Sequence, residues 1–440
     1  MASQAFTLHP SHPIGSKSDY LRVKAHIVAD GLILLMTEVK AIRVGLLIDS
    51  KSSPIRNAVI VIESGRIKQV SRESEIAIPP DAEVIDASRY AAIPGLIDAH
   101  LHLGSNGEPD LLKMLITTPP DLITLKSLLN ARALLEAGYT TVRDCGEHNF
   151  FAISLRMAIE QGYFQGPNIV ACGKMLSQTG GHGDFGLVNF GICDGVDGVR
   201  KAARENLKAG ADFIKVCASG GGGSPFDKMT DTQFTVEEMR AAVEEAKARG
   251  KWVAAHAMAT QGIKNALLAG VRTIEHGCYL DDECCALMKE RGAILVPTLL
   301  AAYQIVKHGV EGGIPEWAVK KTEEVIDTHI ASVKNAYRSG VKVAAGSDAG
   351  TPFNKHGKNA LELELLVDRC GFAPLEALRA ATVVAADAVG LSDKVGTLEV
   401  GKYADTVIVD GNPLDDIKVL QDTSKIKMVL RHGKPVRFAE

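Results

Sequence analysis

Two imidazoles one residue apart, His100-Leu101-His102, close the apolar run AAIPGLIDAHLHL. If that run is a strand, residues i and i+2 share a face and both rings point the same way. Alone, the pair admits two readings: a metal site, or two polar residues at a strand end. Four later runs carry one further ligand-type residue each near their C-terminal ends: Lys215 in DFIKVCASG, His256 in KWVAAHA, His276 in VRTIEHG and Asp348 in VKVAAGSD. An unpaired Lys or Asp is costly to bury in an otherwise apolar strand. One shared metal centre accounts for all of these residues together.

Lys215 needs its own chemistry. An ammonium repels a cation and offers no lone pair. Burial near cations lowers a lysine pKa, and the neutral amine can add carbon dioxide. The resulting carbamate is an anion with two oxygens, able to bridge two metals. The competing reading is an ordinary salt bridge from Lys215 to Asp348 or to substrate.

The elements that must position these residues follow from the same runs. With YTTVRDCG, NIVACGKMLS and AILVPT, eight short apolar stretches alternate with helical ones. One helix is explicit: Thr235 and Glu238 form a capping box, Val236, Met239, Val243 and Ala246 give the apolar face, and Gly250 closes it. Such alternation predicts an α/β fold, a (β/α)₈ TIM barrel over residues 93–394, whose active site lies at the C-terminal ends of the strands. A doubly wound sheet would alternate similarly, but no G-x-G-x-x-G follows the first strand. Outside the barrel, AIRVGLLID and NAVIVIESGRIKQV alternate apolar and polar residues, and ADTVIVDG and KMVLRHGKPVRF repeat the signal at the far end. Residues 21–92 and 395–440 are therefore expected to form one small β-sandwich domain, with residues 1–20 a loose tail.

Bulk properties exclude other classes. The 440 residues are 46% hydrophobic and 23% charged with a net charge of −4, which leaves no basic footprint for nucleic acid and no polybasic membrane anchor. The eight cysteines form no C-x-x-C pair, as expected of reduced thiols in a cytoplasmic protein. The run Ile27–Met36 is interrupted by Asp30 and too short to span a bilayer, so it reads as a strand or short helix.

PGLIDAHLH, the Lys215 strand, His256, His276, Asp348 and the tail VGTLEVGKYADTVIVDGNPLDDI together resemble the amidohydrolase superfamily, in its binuclear branch with a carboxylated lysine. MLSQTGGHGD, IKVCASGGG and GSDAGTPFNKHG are similar to the Xaa-Pro dipeptidase-like carboxypeptidases and ochratoxinase. The resemblance implies two divalent metal ions, with zinc suited to the ligand set. It places His100, His102 and Asp348 on the buried ion and His256 and His276 on the exposed one, with N6-carboxylated Lys215 bridging. It further implies a bridging hydroxide as nucleophile, with Asp348 as catalytic proton shuttle. The substrate would be a small amide, an N-acyl amino acid or dipeptide, and the protein a homo-oligomer. Lactams, carbamates and aryl amides or ureas are the alternative on the same metal centre, with a non-catalytic scaffold the remaining class.

Candidate substrate contacts are His182 in TGGHGDF, Gly220 in the glycine run after Lys215, Tyr279, His356 and, more weakly, His148. Each has a bland counterpart: a surface histidine, a flexible loop, a packing tyrosine. Relatives often carry His or Tyr two residues after the fifth-strand ligand, where this chain has Met258. Cys217 and Cys278 are read as small packing residues.

Overall fold

The computed structural model describes residues 25–27, 33–35, 38–147, 149–185 and 190–436. The expected tail over 1–20 and the candidate His148 lie outside them. Of the run from Ile27 to Met36, the described part is extended: Ala25–Ile27 pairs antiparallel with Ile33–Leu35.

All eight apolar stretches read from the sequence contain a strand of a parallel set. These are β1 (Leu96–Leu101), β2 (Tyr139–Asp144), β3 (Asn168–Ala171), β4 (Ile214–Cys217), β5 (Val253–Ala257), β6 (Thr273–His276), β7 (Ile294–Val296) and β8 (Lys342–Val343). β1 to β3 form one parallel ladder, and β4 to β8 another that also takes in Leu176–Ser177 and Gly191–Ile192. Individual hydrogen bonds cross the two seams. Asp212 N donates to Ala171 O at 2.8 Å between β3 and β4, and Ala99 N to Ala345 O at 2.9 Å between β8 and β1.

Every residue of β1, β2, β4, β5 and β6 is buried. That is the pattern of parallel strands covered on both faces. The covering helices are cut to length by local signals. Thr235 and Glu238 make the reciprocal capping box that starts Val236–Lys247. Gly210 and Gly270 end Gly195–Ala209 and Thr260–Ala269 in the left-handed conformation, with φ of 101° and 96°.

Strands from both ends of the chain share a seven-stranded mixed sheet, in the order Lys434–Pro435, Ile426–Arg431, Thr406–Val409, Glu83–Pro94, Val39–Leu47, Ile55–Glu63, Arg66–Arg72. Thr406–Val409 pairs antiparallel with the end of Glu83–Pro94 and so ties the two termini together. The chain then passes into β1 through Gly95, where a Cβ would lie 2.0 Å from Thr140 Oγ1. No helix among the described residues is long and apolar enough to cross a membrane.

Candidate active site

His100 in β1 and His102 just past its end come to one place, and the segment that follows β8 brings Asp348 to meet them. Asp348 Oδ1 is 3.5 Å from His100 Nε2 and 3.3 Å from His102 Nε2. These three residues offer ligand atoms within 4.8 Å of one another. Asp348 has φ 56°, and His276, at the end of β6, has φ 70°. Non-glycine residues rarely occupy this left-handed region, and such strain concentrates at functional sites. His276 and His256 complete the imidazole group: their ring centroids are 4.6 Å apart, and His276 lies 5.0 Å from His100. Lys215 is 1% exposed in β4 and lines the same cavity. Its charge bears on His100, His256, His276 and Asp348.

Each imidazole has one nitrogen engaged and one left for the centre. His100 Nδ1 meets Glu275 Oε2 at 2.7 Å, His102 Nδ1 the Gly146 carbonyl at 2.8 Å, His276 Nδ1 Thr298 Oγ1 at 2.7 Å, and His256 Nε2 the Gly220 carbonyl at 3.1 Å. Fixing one nitrogen as a donor leaves the other as a lone pair, the tautomer control typical of metal-ligating histidines.

Protonation follows from burial and charge. Burial and the nearby Lys215 charge lower His100 to about 4. Burial, aided by neighbouring cationic groups, takes His256 and His276 well below 6.5. Burial acts against a charged His102 too, but the Asp348 carboxylate outweighs it and holds this ring at about 9. A cation between His102 and Asp348 would take the place of that proton. The donor set fits a divalent metal on a further ground: Asp348 Oδ1 is buried without a well-formed hydrogen bond and faces the two ring nitrogens of His102 and His100 at 3.3 and 3.5 Å.

A second group with metal-binding geometry, His100, Cys145 and Glu275, fits less well. Arg143 Nη2 already contacts both oxygens of Glu275, at 2.8 and 2.9 Å. Burial opposes ionisation of Glu275, yet Arg143 and His100 bring it down to about 2. The Cys145 thiol is pushed up to about 12 by burial.

The cavity above the imidazoles has apolar walls that include Leu111, Leu115, Phe185, Phe190, Met258 and Trp317. His182 also lines it, stacked on His256 with centroids 4.2 Å apart. The other candidate substrate contacts sit elsewhere. Gly220 presents its carbonyl to His256 while Gly222 and Gly223 reach the cavity. Tyr279 packs with Met229, Cys278 and Val325. His356 is buried behind the His102 turn, its Nε2 3.2 Å from His102 O and 3.0 Å from Ser105 O. Of the two cysteines read as packing, Cys278 borders the cavity and Cys217 packs with Met175 and Phe190.

Of the residues that hold the imidazoles, sequence reasoning singled out Gly220 alone, and as a substrate contact rather than as the partner of His256. Glu275 and Arg143 sit under His100, and Thr298 holds His276. His329 Nε2 lies 3.0 Å from the His276 carbonyl.

Parallel strands carrying imidazoles and a carboxylate at their C-terminal ends define a class of hydrolase. The Amidohydrolase family model matches residues 91–436, and the chain belongs to that family. It is 35% identical to ochratoxinase of Aspergillus niger over 427 residues, covering 90% of this chain and 86% of that one. A Xaa-Pro dipeptidase with bound methionine in its active site has a similar structure, with a TM-score of 0.85 at 34% identity, covering 91% of this chain and all 100% of the other. A prolidase complexed with N-methylphosphonate-L-proline gives 0.84 at 37% identity, over 91% and 99% of the two chains. The protein is thus a hydrolase of C–N bonds, acting on amides.

Proposed function

We propose that this protein is a metal-dependent, carboxypeptidase-like amidase that removes the C-terminal residue from N-acyl amino acids or dipeptides. The reading places the active site on a (β/α)₈ barrel over residues 93–394, with residues 21–92 and 395–440 as a separate β-domain. The observation that carries it is the cluster of His100, His102 and Asp348 ligand atoms within 4.8 Å, at the floor of an apolar cavity.

His100, His102 and Asp348 would hold one divalent ion, His256 and His276 a second, and Lys215, carboxylated on Nζ, would join them. Zinc suits imidazole and carboxylate donors. Bound there, the ions supply an activated water at neutral pH and polarise the scissile carbonyl. Asp348 would serve there as the proton shuttle, its carboxylate accepting a proton at the centre and donating one to the leaving amine. The apolar walls exclude solvent and seat a bulky side chain or acyl group. Among the described lining residues Lys215 is the sole Lys or Arg, so recognition of the substrate carboxylate falls to His182.

The same apolar walls favour a second reading, hydrolysis of aryl amides without a carboxylate. The test is a matched panel: N-acyl phenylalanine, N-acyl methionine, X-Pro dipeptides and the corresponding carboxamides, assayed with zinc present. The free carboxylates should be cleaved at least tenfold faster, as kcat/KM, than their carboxamides, roughly what one charge-assisted contact supports. Equal rates would move the assignment to neutral amides.

A further inference from the structure

The helix Glu316–Arg338 runs along one wall of the cavity and sends a single cation across to the glycine-rich loop on the other. Lys321 Nζ donates to the carbonyls of Gly221 at 3.0 Å and Ser224 at 2.7 Å, and also to Asp227 O. It makes an ion pair with Asp227 Oδ1 at 3.3 Å. An ammonium has three N–H donors, and here three carbonyls of one loop converge on it. The Lys321 side chain is 19% exposed and that of Asp227 2%, so solvent screens the pair weakly.

Asp227 continues the connection. Its Oδ2 lies 3.4 Å from His182 Nδ1 and accepts from Gly221 N at 3.2 Å and Gln233 Nε2 at 3.4 Å. Gln233 Oε1 in turn accepts from His182 N at 3.0 Å. The ring and the backbone of His182 are thus both addressed by this cluster. Gly221 is the spacer: a Cβ there would meet His182 Cε1 at 2.4 Å and His256 Cε1 at 2.8 Å. The loop therefore passes against both rings at a separation that its tether must hold.

From this geometry we infer that Lys321 and Asp227 are positioning residues that fix the glycine-rich loop and aim His182 over His256 for substrate recognition. The loop's many glycines lack intrinsic stiffness; the ammonium supplies it from outside. Neither residue touches a metal-ligating nitrogen; the loop they hold also offers the Gly220 carbonyl to His256, so metal content is measured beside KM to separate substrate binding from metal binding. The inference rests on the amidase reading for its kinetic consequence, but its structural consequence is independent of that reading.

The experiment compares zinc-loaded wild type, Lys321→Met, Lys321→Arg and Asp227→Asn by steady-state kinetics on an N-acyl amino acid, by metal content and by hydrogen exchange over residues 220–228. Lys321→Met should raise KM about tenfold with kcat within about threefold and metal content unchanged, the pattern of lost ground-state binding. Lys321→Arg should recover most of the loss, Asp227→Asn should raise KM in the same direction, and loop amides should exchange faster in Lys321→Met. An unchanged KM in Lys321→Met, a KM rise that comes with lost metal, or an arginine variant no better than methionine, overturns the role in recognition. If wild type cleaves none of the N-acyl substrates, the amidase reading fails instead. Exchange then still decides the tether: unchanged protection in both Lys321→Met and Asp227→Asn refutes it.

Discussion

Glu275 Oε2 lies 2.7 Å from His100 Nδ1, while Arg143 Nη2 grips both oxygens of the same carboxylate beneath the site. Arg143 and Glu275 are both fully buried. Breaking such a pair leaves an uncompensated charge in the interior. Glu275→Gln should therefore cost about 3–5 kcal/mol of folding stability, measured as a lowered urea midpoint. A variant within 1 kcal/mol of wild type, in the sense of an ordinary surface change, would show that this pair does not anchor the centre.

Thr298 sits where a helix N-cap would be, at φ 55°, and makes no side-chain cap bond to the following helix, Leu299–His308. Its hydroxyl serves His276 instead. Partners of this kind typically matter 10–100-fold for metal affinity. Thr298→Val keeps the shape and removes the acceptor, so zinc affinity by competition with a chromophoric chelator should fall within roughly that range. Undiminished affinity would mean that His276 orients without it.

The capping task passes to Glu362, which accepts from Leu299 N at 3.0 Å and Leu300 N at 2.7 Å. Burial outweighs those bonds and raises its carboxyl from 4.5 to about 8. A raised folded-state value means the native state holds the proton more tightly than the unfolded chain. This stabilisation is complete below about pH 4.5 and is lost as pH rises toward about 8. Glu362→Gln cannot ionise, so urea midpoints of wild type should fall relative to the variant between pH 5 and 8. Parallel curves would contradict the protonated cap.

Asp348 is assigned both a ligand role and a proton-transfer role, and asparagine separates them. Asp348→Asn should keep bound zinc while kcat falls by about 10²–10⁴-fold, the usual scale of general acid–base catalysis. Normal turnover with normal metal content would remove Asp348 from proton transfer.

Much of this was legible in the sequence for a physical reason. The parallel strands are buried on both faces, so they stand out as apolar runs. Lys215, His256 and Asp348 were conspicuous because nothing apolar requires them there. The supporting residues were less legible. Strand alternation sends neighbours to opposite faces, so Glu275 and His276 should not both address the centre. The left-handed backbone at His276 breaks that rule and brings its ring to 5.0 Å from His100 while Glu275 holds the same imidazole. Loop residues were less legible: His356 lies behind the His102 turn and Tyr279 packs with Met229, Cys278 and Val325, because where a loop side chain points depends on contacts that sequence spacing does not encode. Lys321 shows the extreme case, since its partners lie 94–100 residues away.

A pair of metal ions joined through Lys215 would show itself in the metal content of the purified protein. Elemental analysis would be made on wild type and Lys215→Ala, both purified without chelator or added metal. Wild type should carry about two metals per chain, as in a two-metal hydrolytic site, and the variant sharply fewer. One metal or fewer in wild type, unchanged by the substitution, would contradict a pair joined through Lys215.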